Sequence, residues 1–575
     1  MMNILIIPLV VLALFFLAYK FYAKRIEKKV FEANDSRKTP AVEFENEVDY
    51  VPTKPLVVFS HHFSSIAGAG PIVGPTLALA FGYMPVLFWI VIGTIFIGGV
   101  HDFTTMFASV REKGRSIAEI VRAKIGKNAF LLVIAFTIVM LFLVTSVFLQ
   151  LVVISLTALV PLDVLKLPAD QTILKTVEVN GVINARIGGI ASTSVIIITL
   201  FAPLIGIYLY KMKGSAVISA IVAILICAIS VFIGLKFPVT ISPQIWAYII
   251  SVYVFLAAGI PVWLILQPRD FINSFFLYAG IFGMLVGSIV VGIKGGMTQI
   301  PAFDLASGTK AVGDLWPFLF ITVAGGAISG FHSIVASGTS SKQVRKESDV
   351  IKIGYGGMIL EGILAMTVVV TVAFALKFDL FKDIVFAKSN PNLGFALSLG
   401  ILMNEAFNLP IYFGTVMGIL LLEGFLMTIL DTAVRLNRYL FEELWSGIMK
   451  KVPNILKSYQ FNALLSVVIM LILFHSNTVM EIWEIFGAAN QLLAAIALLI
   501  VTIYLKKQNK KYIFTLIPTI FMGITTIAAL LILLVTKYLK PINITLLISD
   551  IALLILSIGI IYIAIKDMLL GKKTA

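Results

Sequence analysis

The sequence predicts an all-α polytopic membrane protein with about 15 transmembrane helices, two of them discontinuous. Hydrophobic residues make up 59% of the 575 residues and charged residues only 13%, and the mean hydropathy is +1.03. Apolar runs of about 20 residues, the length that crosses a hydrocarbon core about 30 Å thick, recur through most of the chain. Gly and Pro interrupt two of these runs, and such freed backbone groups at membrane depth are tolerated only where protein or water satisfies them.

Each predicted span is an apolar run bounded by charged or turn-forming residues. The first run is too long for a signal peptide and lacks a basic start and a small-residue cleavage site, so it is predicted to be a retained helix. A shorter run, 393–408, is predicted to form an amphipathic or re-entrant helix on the outer side. The fifteen predicted spans are 3–22, 56–80, 84–109, 129–160, 187–209, 216–235, 244–267, 272–294, 316–340, 353–376, 411–433, 459–475, 482–505, 513–536 and 543–565.

The positions of Lys and Arg predict that the N-terminus lies outside and the C-terminus in the cytoplasm. In that orientation, 33 of the 44 Lys and Arg residues lie in cytoplasmic loops or the C-terminal tail, and 11 lie outside. Membrane proteins retain Lys and Arg on the cytoplasmic side, so this bias explains the net charge of +14 without a nucleic-acid partner. The hydrophilic stretch 23–54 carries both signs of charge and is predicted to be a cytoplasmic connector.

The second span contains the stretch SHHFSSIAGAGPIVGPT at residues 60–76, whose composition departs from that of an ordinary membrane helix. Gly and Pro loosen a helix, and ionisable side chains at membrane depth usually mark a pathway or a site. We therefore predict a discontinuous helix that lines a polar cavity. The ligand contacts predicted from this stretch are His61, His62, Ser64, Ser65, Gly68, Gly70 and Pro71.

The pair Gly70-Pro71 has the form of a new helix start, because Pro suits the first turn of a helix. The half-helix that begins there would aim free N–H groups and the positive end of its dipole into the middle of the membrane. A carboxylate or another anion could dock at that point. The alternative is a proline kink with no ligand.

A short segment of the ninth span is similar in sequence to a segment of the second. Residues 64–70 read SSIAGAG and residues 332–338 read HSIVASG, seven spans apart and therefore in opposite orientation. Paired Gly-interrupted spans in inverted halves are typical of the binding site of secondary transporters. This pairing adds Ser333 and Ser337 to the predicted site, although a similarity this short also arises by chance.

Ionisable residues on four predicted helices fall in one layer of the membrane. At about 1.5 Å rise per residue, each lies roughly 8–14 Å from the cytoplasmic end of its span. Histidine titrates near neutral pH, and burial can raise the pKa of a carboxyl group into that range, so the layer predicts a proton relay or a site for a charged substrate. The alternative is a set of interhelical hydrogen bonds or ion pairs that hold the bundle together. Besides His61 and His62, the layer contains His101, Asp102, His332 and Glu361.

Further charged residues occur near the cytoplasmic ends of later spans. Arg269 and Asp270 are adjacent, and Asp431 and Arg435 are spaced i,i+4 on the eleventh span, where they could pair. Such groups are predicted to act as gates or structural pairs. Glu423 is another ionisable residue in that span.

Asn490 and Gln491 lie close to a glycine in the thirteenth span and could either line the cavity or bridge helices. The sequence contains no Walker loop, nucleotide fingerprint or zinc-spaced pair on one helix, which disfavours ATP-driven pumping. The single cysteine, Cys227, excludes an intrachain disulfide and a cysteine-based metal site. We therefore predict no enzymatic activity, no cofactor and no bound metal.

Several motifs resemble those of the carbon starvation protein A (CstA) family of prokaryotic inner-membrane transporters, and they keep the family order from about residue 55 to residue 495. His101 stands where the family pattern often has Gln, and the C-terminal part is more compact than in the long members. The matching motifs are His61-His62-Phe63 with Gly68–Pro71 and Gly74-Pro75, His101–Phe103, Gly114–Ser116, Gln267–Asp270, Ile328–Ser333 with Ser337–Thr339, Gly354–Gly356 leading to Glu361, Asp431 with Arg435, and Phe486-Gly487 with Asn490-Gln491.

The resemblance implies a multi-pass protein of the inner membrane with an inverted-repeat core like that of LeuT and the APC superfamily. It implies proton-coupled uptake of short peptides during carbon or nutrient starvation, or of pyruvate with protons in related members. Residues 1–55 would form the N-terminal helix and connector, 56–380 the core with both broken helices, and 381–575 the C-terminal membrane part with about five spans. A channel and an intramembrane metalloenzyme that uses the histidine layer are the less favoured alternatives.

Overall fold

The structure is a computed structural model that describes residues 2–46, 50–261, 263–539 and 542–570. Nearly all of it is helical, as the apolar runs predict. The longer helices are α1 (Ile6–Phe31), α2 (Pro55–Ile66), α3 (Gly70–Phe81), α4 (Tyr83–Arg111), α5 (Ile117–Lys124), α6 (Lys127–Leu156), α7 (Ile187–Leu209), α8 (Val217–Lys236), α9 (Pro243–Gly259), α10 (Leu266–Ile293), α11 (Leu305–Ala311), α12 (Phe331–Gly338), α13 (Glu347–Ala375), α14 (Pro391–Phe407), α15 (Ile411–Ile448), α16 (Tyr459–Ser476), α17 (Val479–Lys507), α18 (Ile513–Tyr538) and α19 (Ile544–Leu569).

Twelve helices among the described residues are long and apolar enough to cross a membrane, and each matches one predicted span. The second predicted span is the pair α2 and α3, which is bent by 47° at a short break. The seventh is α9, a shorter apolar helix, and the ninth is divided into several short pieces. Fifteen continuous spans are therefore not confirmed, although every predicted span coincides with helical structure.

Three sequence expectations need correction. The fold is not purely helical, because a small antiparallel sheet of β1 (Val160–Pro161), β2 (Thr176–Val179) and β3 (Val182–Ala185) in the order β1-β3-β2 lies between α6 and α7. The helix expected at 393–408 is present as α14, but it is buried on nearly all faces and so is not amphipathic. The first helix continues to Phe31, well beyond its apolar run, and the guanidinium of Arg111 donates to the carbonyl of Phe31 at 3.0 Å.

The connector after α1 runs along the loop that precedes α13. Glu347, the first residue of α13, is buried and forms a two-bond pair with Arg111, at 2.6 Å and 2.9 Å, while its Oε2 also accepts a hydrogen bond from the backbone N–H of Asn34. Further along, the N–H of Thr53 donates to the carbonyl of Gln343 at 3.1 Å. The described part of the polar connector is therefore attached to the bundle by backbone hydrogen bonds, one of them to the carboxylate of Glu347.

The helix bundle has a buried centre and an apolar periphery. The apolar window of α17 is entirely buried, whereas the corresponding windows of α1, α8 and α19 are only 28%, 33% and 33% buried. Apolar side chains that remain exposed on peripheral helices suit contact with lipid tails. The centre of the bundle therefore lies around α17 and the elements that contact it, which include α4, α6 and the divided ninth span.

The charge bias predicts a topology that cysteine labelling tests directly. In a Cys227→Ala background, Asp170→Cys in the loop before β2 should react with a membrane-impermeant maleimide in intact cells, and Ser36→Cys should react only after lysis. Both positions are exposed, so burial does not limit either reaction. The reverse pattern would contradict the orientation with the N-terminus outside.

Candidate functional site

The second predicted span breaks where its sequence is richest in glycine. The helix α2 ends at Ile66, Ala67 leaves the helical conformation (φ −72°, ψ 82°), and α3 begins at Gly70 with Pro71 in its first turn. The predicted helix start at Gly70-Pro71 is thus present in the structure. Since Pro has no N–H, its position in the first turn removes one donor that the helix could not have satisfied itself.

The ninth predicted span breaks more than once. A π-helical turn at Leu315–Leu319 leads into Phe320–Thr322, the chain turns at Val323, and Ala324–Ala327 forms a single further turn. Ile328 is extended, and α12 then completes the span. This segment leaves several backbone groups without partners inside a helix, in the middle of the bundle.

The two broken spans run antiparallel and cross at glycines. The N–H of Thr53 before α2 meets the carbonyl of Gln343 after α12, while the N–H of Asp304, which precedes the ninth span, donates to the carbonyl of Phe81 at the end of α3 (2.9 Å). At the crossing, a Cβ on Gly325 would lie 2.7 Å from the Cα of Gly70. Only glycine allows the two backbones to approach this closely.

Helix α17 satisfies the freed backbone groups of the ninth span. Gln491 donates from Nε2 to the carbonyl of Phe320 at 2.6 Å, and the indole N–H of Trp483 donates to the carbonyl of Thr322 at 3.3 Å. Asn490 accepts the N–H of Phe331 on its Oδ1 at 3.0 Å. Asn490 and Gln491 therefore bridge helices, and Asn490 also caps the start of α12.

Four ionisable side chains join in one buried chain, which we name the His332 cluster: His101, Asp102, His332 and Glu361. The carboxylate of Asp102 lies between two imidazoles, with Nδ1 of His101 at 2.7 Å from Oδ1 and Nδ1 of His332 at 2.9 Å from Oδ2. On its other side, Nε2 of His332 lies 3.3 Å from Oε2 of Glu361. All four side chains are at most 1% exposed.

This arrangement can hold a mobile proton. When Asp102 is ionised, it accepts from Nδ1 of both histidines, so His332 presents only its Nε2 to Glu361. Either His332 is cationic and Glu361 is ionised, or His332 is neutral and Glu361 carries the proton. Neither oxygen of Glu361 has a hydrogen bond, and an uncompensated carboxylate is costly to bury, so one proton shared between these two groups stabilises the cluster.

The two adjacent histidines of the second span have different surroundings. His62 is buried, packs against α13 at Gly357, and pairs its Nδ1 with the hydroxyl of Ser340 at 2.8 Å. His61 lies on the exposed face of α2 and interacts electrostatically with Asp270. Because α2 is helical through both residues, they point in different directions and cannot act as a pair.

A small cavity lies at the helix breaks beside the His332 cluster. Its volume is about 30 Å³, room for a water molecule or two and too small for a peptide. Six of the predicted site residues line it, and Ser329 and a ring of apolar side chains complete the wall. The lining residues are Ile66, Gly68, Gly70, Pro71, Val144, Phe148, Gly325, Ser329, Phe331, His332, Glu361, Ile429, Phe486 and Asn490.

Other predicted contacts lie outside this cavity. The half-buried Ser64 and Ser65 belong to the second span, and Ser65 donates to the carbonyl of His61 at 2.8 Å. Ser333 donates to the carbonyl of Gly330 at 2.7 Å. Ser337 donates within α12, to the carbonyl of Ser333, and its hydroxyl also accepts the N–H of Ile117 at the start of α5 at 3.0 Å, so both hydroxyls have structural partners.

A second buried group, which we name the Arg269 cluster, contains Tyr253, Arg269, Asp270 and Asp431. Arg269 is 1% exposed and lies 2.7 Å from Oδ2 of Asp431, 2.6 Å from the hydroxyl of Tyr253 and 3.2 Å from Oδ1 of Asp270. Asp270 also accepts a hydrogen bond from Thr428 at 2.6 Å and is 35% exposed. The cluster thus joins α9, α10 and α15, with one carboxylate at its exposed edge.

The expected pairing of Asp431 with Arg435 is wrong. Arg435 donates instead to the carbonyls of Ala257 and Ile260 at 2.5 Å and 2.6 Å, where it caps the end of α9. Asp431 pairs with Arg269. The i,i+4 spacing places two side chains near each other, but the buried guanidinium of another helix competes more strongly for the carboxylate.

The sequence alone does not single out Ser329 or the apolar lining residues. Ser329 belongs to the motif Ile328–Ser333, and Phe486 belongs to the motif that carries Asn490, so both were near a recognised signal. Val144, Phe148 and Ile429 lie in uniformly apolar runs with no local signal. No group of three or more His, Cys, Asp or Glu within the described ranges has a geometry that could hold a metal ion.

The sequence matches the profile of carbon starvation protein CstA over residues 3–384 and 376–529. The chain belongs to the CstA family. It is 31% identical to the peptide transporter CstA of Bacillus subtilis (strain 168) over 91% of this chain and 89% of that protein. It is 26% identical to the pyruvate/proton symporter BtsT of Escherichia coli (strain K12) over 89% of this chain and 79% of that protein.

The chain is therefore a multi-pass membrane protein of a family of transporters. Its structure is similar to that of MhsT in complex with L-phenylalanine, with a TM-score of 0.44, 14% sequence identity, and coverage of 88% of this chain and 99% of that one.

The glycine crossing can be tested by adding one methyl group. Gly325→Ala should lower the free energy of unfolding by about 1–3 kcal/mol, because its Cβ would collide with the backbone of Gly70 and the ring of Pro71. Gly338→Ala, whose Cβ would meet nothing within 4 Å, should change it by less than about 0.5 kcal/mol. Thermal unfolding of the purified proteins in detergent measures both, and equal midpoints would contradict the crossing.

Proposed function

We propose that this protein is a secondary active transporter that imports short peptides across the prokaryotic inner membrane, coupled to protons and serving nutrient starvation. The observation that carries the proposal is the His332 cluster beside a cavity at the crossing of two antiparallel broken helices. Discontinuous spans of this kind place substrate and coupling ions at the bilayer midplane in secondary transporters. An inverted-repeat core, within 56–380, is part of the same proposal.

The pair of His332 and Glu361 would take up one proton from the outer water as the substrate enters and would release it to the cytoplasmic water as the substrate leaves. Glu361 lines the cavity, and its carboxyl oxygens have no hydrogen-bond partner there. A substrate that brings a charge or a donor next to Glu361 changes the cost of ionising it, which couples substrate binding to proton binding. His101 and Asp102 orient His332, since Asp102 accepts from both rings.

The substrate carboxylate would dock at the start of α3. Gly70 and Pro71 line the cavity, and the first turn of α3 faces it with the positive end of the helix dipole. His62, Ser64 and Ser65 would enlarge this site when α2 moves, because the present volume of about 30 Å³ holds no peptide. Arg269, Asp270 and Asp431 would act as the gate that α2 contacts through His61.

Pyruvate is a second candidate, and the small size of the cavity favours it. A single carboxylate needs only the start of α3 and a few donors such as Asn490 and Ser329. The relative BtsT carries the name of a pyruvate/proton symporter. A pyruvate site would also require less movement of α2 than a peptide site.

Variants of the His332 cluster should separate transport from folding. His332→Ala and Glu361→Gln should each abolish uptake into cells or vesicles while leaving expression and monodispersity near normal, because each removes one partner of the shared proton. His475→Ala and Glu405→Gln, outside the cluster, are matched controls and should transport normally. Near-normal uptake by both cluster variants would assign the cluster a purely structural role.

Substrate class can be decided in reconstituted vesicles with an imposed pH gradient, acidic outside. Radiolabelled dipeptide should accumulate above equilibrium and the accumulation should collapse when a protonophore is added. Pyruvate accumulation without dipeptide uptake would overturn the peptide proposal in favour of a monocarboxylate symporter. Flux that never exceeds equilibrium and does not saturate would instead indicate a channel.

A further inference from the structure

Glu423 is a buried carboxyl group that belongs neither to the His332 cluster nor to the proposed gate of Arg269, Asp270 and Asp431. It lies on α15, 1% exposed, and neither of its oxygens has a hydrogen-bond partner. Twelve residues separate it from the start of α15, or about 18 Å along the helix, which places it near mid-membrane. An ionised carboxylate without partners is costly at such a depth, so Glu423 is neutral in this conformation.

The neighbouring charge is the guanidinium of Arg269, which acts electrostatically on Glu423. Helices α10 and α15 are in close contact here, because a Cβ on Gly424 would lie 3.2 Å from the Cβ of Asn273, one turn beyond Arg269. Arg269 uses its two terminal nitrogens for Tyr253, Asp431 and Asp270, while its Nε–H is buried without a partner. Arg269 and Glu423 thus lie near the same contact between α10 and α15, and each has a buried polar atom without a hydrogen-bond partner.

The positive and negative charges around Arg269 and Glu423 are unbalanced. Arg269 is one cation, and it already contacts the carboxylates of Asp431 and Asp270. Tyr253 of α9 contributes only a hydroxyl, and His61 of α2 acts on Asp270 at the exposed edge. Adding an ionised Glu423 would place three carboxylates around one guanidinium. The His332 cluster is separate, since the charges that act on Glu361 are His332 and Asp102.

We propose that Glu423 is a second proton-binding site, so that two protons enter with each substrate molecule. In the conformation described here, Glu423 holds a proton. In the alternative conformation its carboxyl O–H bond breaks, the proton passes to water on the cytoplasmic side through the exposed edge at Asp270, and the carboxylate accepts the Nε–H of Arg269. This inference rests on the proposed proton-coupled import and adds its stoichiometry and a second site.

The stoichiometry can be measured from the reversal potential of transport in vesicles, using whichever of dipeptide or pyruvate the unaltered protein accumulates. The unaltered protein should move two protons per substrate. Glu423→Gln, which mimics the protonated group, should move one, and should accumulate substrate less while keeping substrate counterflow within about twofold of normal. Glu405→Gln removes an exposed carboxylate from the outer side and should keep two.

Two outcomes overturn the inference while leaving proton-coupled import intact. One is a stoichiometry of one proton in the unaltered protein, which needs no variant and so does not depend on the folding of Glu423→Gln. The other is an unchanged stoichiometry in a folded Glu423→Gln. If the pH gradient fails to drive uptake by the unaltered protein, the proposed function itself fails, and that result is distinct from both.

Discussion

The need to satisfy backbone polar groups inside the membrane governs this structure. Two spans give up helical hydrogen bonds near the middle of the bundle, and each lost bond exposes groups that lipid cannot pair. Helix α17 supplies the partners for the ninth span, through Trp483, Asn490 and Gln491. This explains why a helix with several polar side chains is the most completely buried one. Without α17, the break would have no stable conformation.

The second span contacts the ninth span directly at glycine residues. Gly70 and Gly325 bring the two backbones into direct contact, which leaves little free volume at the crossing. The cavity beside it is correspondingly small. A site formed by two half-helices in close contact can enlarge only if one of them moves. Helix α2 packs mainly against α13, and its face with His61 is exposed and has less contact with α10 and α15.

Two separate groups of buried charges lie among the helices of the bundle. The His332 cluster lies on α4, α12 and α13, and the Arg269 cluster lies on α9, α10 and α15. Glu361 in the first cluster and Glu423, which lies close to the second without belonging to it, are buried acids whose oxygens have no hydrogen bond. A buried acid without hydrogen bonds lowers the stability of a helix bundle unless it binds a proton or a polar partner. The burial of these two acids is therefore better explained by transport than by stability.

The sequence by itself determined the membrane class, the positions of nearly all spans, the break at Gly70-Pro71 and the layer that holds His101, Asp102, His332 and Glu361. These follow from apolar run length, Pro and Gly chemistry and helical rise, all of which are local. The tertiary structure decided which groups pair. Asp431 pairs with Arg269 rather than with Arg435, and His61 and His62 lie on different faces of α2. The hydroxyls of Ser333 and Ser337 bind backbone groups of the protein. Pairing depends on which helices touch and on which donor is buried, and neither quantity is encoded in spacing along one chain segment.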